Sequence, residues 1–213
     1  MKSRRTAVIV SCAAFGLGVL AGCASETAES TATTTAAAQA PSGEAATATD
    51  VAFAQSMIPH HQQAVEMADL ALSPESQSSA QVQALAEQIK SAQDPEIQQM
   101  TGWLQQWGAP TAMPGATDDD MAGMDHSGHD MGGMTMAGMM TAEQMQQLQD
   151  ASGQQFDQMW LEMMIAHHEG AIEMAEQVQG STNPQVADMA DAIISAQEAE
   201  ITEMQVMLSG GSS

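Results

Sequence analysis

The chain has 213 residues, of which 44% are hydrophobic and only 3% aromatic, enough for one buried core built mainly from aliphatic and thioether side chains. Four basic residues face 27 acidic ones, a formal charge of −23, which excludes nucleic acid and anionic membrane surfaces as electrostatic partners. Two cysteines against 20 methionines leave thioether and imidazole as the available soft ligands.

The first 23 residues read as an export signal. Lys2, Arg4 and Arg5 precede an apolar run from Ala7 to Leu20, too short for a membrane span. Leu20-Ala21-Gly22-Cys23 resembles a bacterial lipoprotein box, which implies lipidation at Cys23 and an extracytoplasmic, membrane-anchored protein. A plain or twin-arginine signal (Ser3-Arg4-Arg5) stands as the alternative. Cleavage before Cys23 leaves Lys90 alone against 27 acids, hence a net charge of −26. It also removes Cys12, so no disulfide is expected.

Residues 24–49, rich in Ala, Thr, Ser and Glu, read as a flexible tether. The folded domain is expected over 50–208, with a short tail at 209–213. Asp50 is expected to cap a first helix ending near Leu72, before Ser73-Pro74. Ala54, Met57, His61, Ala64, Val65, Ala68 and Leu72 share one stripe of it, with His60 at the stripe's edge and Pro59 predicting a kink. A second helix is expected from about Ser76 to Trp107, continuous through Pro95. Together these form a hairpin over 50–108.

Residues 109–140 lack helical period and are expected to be a disordered linker. They carry eight methionines and two histidines, with Met124, His126, His129 and Met131 inside Met-Asp-His-Ser-Gly-His-Asp-Met. Thioethers on a flexible chain suit Cu(I), and the imidazoles suit Cu(II). The second hairpin is expected over 141–208. Thr141 and Gln144 form a capping box for a short helix, a third helix covers about Gln154 to Gln179, and a fourth runs from Pro184 to Leu208. Trp103, Trp107 and Trp160 are expected to close the ends of the helical packing.

The two hairpins repeat each other. Met57-Ile58-Pro59-His60-His61 and the following Ala64, Glu66, Met67 and Ala68 recur 107 residues later as Met164-Ile165-Ala166-His167-His168, Ala171, Glu173, Met174 and Ala175. Val82 to Met100 recurs at an offset of 104 as Val186 to Met204, including Gln93, Glu96, Gln197 and Glu200. Duplication of a helical hairpin predicts an all-α four-helix bundle.

A lone core histidine is usually structural. Two matched Met-Ile-x-His-His copies point instead to a metal site of His60, His61, His167 and His168, with Met57, Met164, Met67 and Met174 nearby. Imidazole and thioether without carboxylate favour Cu(I), and by analogy Ag(I), over hard cations. Glu96 and Glu200, with Gln93 and Gln197, are expected to orient imidazoles rather than bind metal.

These motifs resemble those of a bacterial family known as domain of unknown function three-hundred-and-five. The pattern is Met-Ile-x-His-His-x-x-Ala-x-x-Met-Ala, at Met57–Ala68 and Met164–Ala175, with the resemblance covering 50–208. It implies a ferritin-like four-helix fold and copper binding by Met and His, as in the family's copper-binding periplasmic members. The function expected is Cu(I) storage, sequestration or delivery in copper tolerance, without catalysis, in exchange with a copper exporter or cuproprotein. Two other readings stand beside it. One is a metal oxidase using His61, His168, Glu96 and Glu200, and the other is a structural lipoprotein with methionine-filled packing.

Overall fold

In the computed structural model, which describes residues 46–111 and 137–210, helix α1 spans Ala48–Leu72. Its cap is Thr47 rather than Asp50. The Thr47 hydroxyl accepts from the Asp50 amide at 3.1 Å, and the Asp50 carboxylate accepts from the Thr47 amide at 2.8 Å. Asp50 is the third helical residue of this reciprocal capping box, where its charge also faces the positive helix end. Its other oxygen accepts from Ser181 Oγ at 2.7 Å, which ties the start of α1 to the far end of the molecule's second half.

Helix α2 spans Ala80–Trp107, four residues shorter at its start than the periodicity predicts, because Ser79 caps it and Ser76 and Ser78 turn back onto the Ala71 carbonyl. Pro59 and Pro95 both lie within unbroken helices. Gly108, at φ +68°, terminates α2 in the left-handed region that glycine adopts without strain. Helix α3 (Ala142–Asp150) starts from the Thr141/Gln144 capping box. Helix α4 (Gln154–Glu176) and helix α5 (Pro184–Gly210) follow. Among the described residues every regular element is a helix, and none is long and apolar enough to cross a membrane.

The fold is all-α, as the pattern predicts. Helices α1 and α2 pack as one hairpin and α4 and α5 as another, and the hairpins meet chiefly through α1 against α4. Apolar residues form two separate cores. The first gathers Phe53, Met57, Met100, Leu104, Met174 and Ile193; the second gathers Met67, Leu85, Ile89, Phe156, Trp160, Met164 and Met204. On every long helix the break between the cores falls at the same level: His60-His61, Gln93 to Glu96, His167-His168, and Gln197 to Glu200.

Two of the expected end-closing tryptophans stack near the end of α2, Trp103 on Trp107 with centroids 5.7 Å apart. Trp160 does not close an end. It is fully buried in the second core, and its indole N–H donates to the Met67 carbonyl at 2.8 Å, which satisfies the one polar atom that burial would strand.

Replacing Asp50 with Ala removes both the capping interaction and the acceptor for Ser181. The expected loss is about 1–3 kcal/mol of unfolding free energy, read by urea denaturation, with helix content in the folded state unchanged.

Candidate metal centre

Each His-His step places two imidazoles about 100° apart around its helix, so they address different neighbours. On α1, His61 faces α2 and its Nε2–H donates to the Glu96 carboxylate at 2.8 Å. On α4, His168 faces α5 and donates in the same way to Glu200 at 2.8 Å. Each dyad thus closes within its own hairpin. His60 and His167 point across the hairpins instead, and their rings meet at a centroid separation of 3.8 Å, tilted by 41°. The pair that joins the two copies is therefore the one at the edge of the apolar stripes, because the stripe centre faces the hairpin partner.

All four imidazoles are essentially inaccessible to solvent. His60 Nε2–H donates to the Ala137 carbonyl at 3.0 Å. With those protons placed on Nε2, the Nδ1 atoms of His60, His61 and His168 carry lone pairs, and none has a hydrogen-bond partner; neither nitrogen of His167 has one. Gln93 Oε1 and Gln197 Oε1 are likewise unpartnered. Among the described residues, every buried side-chain nitrogen or oxygen without a partner, seven in all, lies in this one layer. Each such atom costs about 1–3 kcal/mol when it is left unpartnered in the interior. Packing alone does not account for that cost.

Glu96 and Glu200 act on the imidazoles as the sequence predicts. An acceptor-only carboxylate fixes a proton on Nε2 and holds the ring's orientation, the arrangement that carboxylates impose on metal-binding histidines. Glu200 is buried and also accepts from Gln88 at 3.3 Å, while the Glu96 side chain is 23% exposed.

The electrostatics favour neutral rings at His60 and His167. Desolvation pushes His60 down to about 4 from 6.5, aided by the neighbouring imidazoles of His61 and His168 and opposed by the Ala137 carbonyl. His167 is held well below 6.5, first by burial and then by His60, His168 and His61. The His60 backbone carbonyl, close to the His167 ring but outside hydrogen-bond geometry, pulls weakly the other way.

Met57 and Met174 lie in the first core, and Met67 and Met164 in the second. The thioethers expected at the site thus flank the histidine layer within one to two helical turns on both sides. Met100 and Met204, four residues beyond Glu96 and Glu200, are fully buried on opposite sides of it. As the side chains lie, no group of three or more His, Cys, Asp or Glu among the described residues is arranged to hold a metal ion. Any coordination beyond the imidazoles would draw on these thioethers. Met124, His126, His129 and Met131 of the linker, and Cys23, lie outside the described residues.

Sequence reasoning missed one participant, the segment Ala137–Met140, which it assigned wholly to a disordered linker. Besides the Ala137 contact, Gln63 on α1 brackets Met140: Gln63 Nε2 donates to the Met140 carbonyl at 2.8 Å, and the Met140 amide donates to Gln63 Oε1 at 2.6 Å. The available signal was a break in the repeat, where Gln63 stands opposite Gly170.

The model of the domain of unknown function DUF305 matches residues 50–208. The chain belongs to this family. A DUF305 protein of Streptomyces coelicolor, described as secreted, has a similar structure, with 29% identity, a TM-score of 0.63, and coverage of 76% of this chain and 91% of that one. CopM in its Cu(II)-bound form is 32% identical with a TM-score of 0.59, covering 76% of this chain and 96% of that one. CopM in its Cu(I)-bound form is 29% identical with a TM-score of 0.56, covering 77% and 98%. Its Ag-bound form is likewise 29% identical, with a TM-score of 0.55 and coverage of 77% and 98%. Among curated proteins, none matches the chain.

Neutral burial makes the metal-free protein acid-sensitive. Above pH 6.5 His60 and His167 are uncharged in both folded and unfolded states; below it only the unfolded chain takes up their protons, until the folded pKa of about 4 is reached for His60. Between pH 7 and pH 5 the His60 contribution alone is expected to fall by about 2 kcal/mol. Urea unfolding across that range reads the slope, and a His60→Gln variant should flatten it.

Proposed function

We propose that this chain is an extracytoplasmic copper-binding protein whose histidine layer holds Cu(I), and by the same ligand chemistry Ag(I), for storage, sequestration or delivery. The observation that carries the reading is the confinement, among the described residues, of every unpartnered buried side-chain polar atom to His60, His61, His167, His168, Gln93 and Gln197. Four buried imidazoles flanked by Met57, Met67, Met164 and Met174, with no thiolate nearby, supply the ligand types that suit a soft monovalent cation. CopM, similar in structure, occurs in copper- and silver-bound forms, which supports the same class of metal here.

Metal arrives from outside the fold, and a net charge of −26 after signal removal concentrates cations near the domain without choosing among them. Choice falls to the softness of the ligands. The linker residues Met124, His126, His129 and Met131 would serve as a capture segment. Lipidation at Cys23 would hold the domain at a membrane surface, where a copper exporter or cuproprotein could exchange metal with it. The reading is one of binding without turnover. An oxidase of the carboxylate type would need Glu96 and Glu200 as ligands, and both are engaged by imidazole N–H groups.

Anaerobic titration of the mature protein with Cu(I), against a chromophoric chelator, tests this. A variant with His60, His61, His167 and His168 all changed to Ala is expected to lose at least tenfold in affinity, while removal of residues 113–136 should leave the tight site intact. Binding lost only with 113–136 would move the site out of the helical domain. No competition by either form would end the copper reading and leave a structural protein. Consumption of oxygen during repeated turnover of Cu(I) or Fe(II) would replace it with the oxidase.

A further inference from the structure

The two copies of the motif share their histidines, and one of the positions at which they differ lies three residues past His60 and His167: Gln63 in the first, Gly170 in the second. Both departures serve the same four residues of backbone. On the α1 side Gln63 uses its amide as a two-point clamp on the Met140 peptide groups. On the α4 side the chain runs so close to the helix that a Cβ on Gly170 would overlap the Ala137 carbonyl and the Gly138 nitrogen. Gly138 itself adopts φ +79°, and a Cβ there would press on the Ala166 and His167 carbonyl oxygens. Glycine at both points lets backbone pass over backbone.

The crossing lies over the histidine pair. The Ala137 carbonyl that would collide with a Gly170 side chain is the one that accepts from His60 Nε2–H. Residues 137–140 are partly exposed, whereas His60 and His167 are fully buried, so this segment separates the pair from solvent on that side.

We propose that Ala137–Met140 is a strap over the His60–His167 pair, that Gln63 latches it and Gly170 seats it, and that its release governs how fast a metal ion reaches the imidazoles. Gln63 is thus a positioning residue, acting on His60 through the strap. The inference rests on the metal-binding reading of the layer, and its first readout needs no metal.

Two variants loosen the strap from opposite sides. Gln63→Ala removes both latch bonds. Gly170→Ala blocks the seat while substituting a better helix former in α4, so it displaces the strap without weakening the helix. Gln62→Ala, at the exposed neighbour of Gln63, serves as a control. In the metal-free protein, amide exchange at Met140 is expected to accelerate about tenfold or more in both strap variants, with exchange at the centres of α1 and α4 unchanged. The ¹⁵N signature of His60 should show loss of a fixed Nε2–H tautomer. With Cu(I) as probe, stopped-flow association should quicken by a similar factor, and Gln63→Glu, which keeps the acceptor for the Met140 amide, should fall between.

Unchanged Met140 exchange in both variants would overturn the latch. Faster exchange with an unchanged Cu(I) association rate would overturn the gating role. Failure of wild type and variants alike to bind Cu(I) would remove the metal reading and the gating role with it, while the exchange data would still report whether Gln63 latches the strap.

Discussion

The structure depends on one polar layer. Four imidazoles, two carboxylates and two amides cross the interior at a single level, contributed in equal parts by the two hairpins, and they divide the apolar core in two. A helical domain of this length could bury aliphatic side chains throughout and gain about 25 cal/mol for each Å² removed from water. It gives up that gain at the level of the four histidines. The three unpartnered nitrogens of His60 and His167 are the visible consequence, and the Met-rich cores on either side hold the layer in register.

Each carboxylate–imidazole dyad can be understood from this constraint. A buried imidazole with neither nitrogen engaged can rotate its ring and shift its proton. One with Nε2–H donated to a carboxylate at 2.8 Å has a fixed tautomer and a fixed lone-pair direction. His61 and His168 are locked within their hairpins by Glu96 and Glu200. His60 is locked by a backbone carbonyl from a different part of the chain, and His167 has no partner on either nitrogen. The pseudo-symmetry of the duplicated hairpin is therefore retained in the outer dyads and broken in the inner pair.

Most of this was legible in the amino-acid sequence, because duplication doubles every signal. Apolar period pointed to four long helices, capping chemistry to the start of α3, and the repeat to histidines at matched levels of the two hairpins. The helix starts were less legible: Asp50 and Thr47 are both good caps, and only the reciprocal bonding distinguishes the cap from the third residue. Which histidines meet was not decided by the periodicity. Placing His61 and His168 at the stripe centre was correct, but in a hairpin the stripe centre faces the partner helix, and the inter-hairpin contact falls to the residue beside it. The strap could not be read at all from periodicity, since its contacts are made by backbone groups of a low-complexity stretch.

The difference between Gln63 and Gly170 shows what duplication leaves free to change. A symmetric pair of hairpins would present two identical faces beside the histidine pair, and a single connecting chain can lie over both only if each face meets it differently. One face needs a side chain that can both donate to and accept from a peptide; the other needs no side chain. Glutamine and glycine meet those demands, and neither works in the other's place, since glycine offers no latch and glutamine would occupy the path of the Ala137 carbonyl. The asymmetry of the repeat is thus a consequence of the way one linker returns to two equivalent helices.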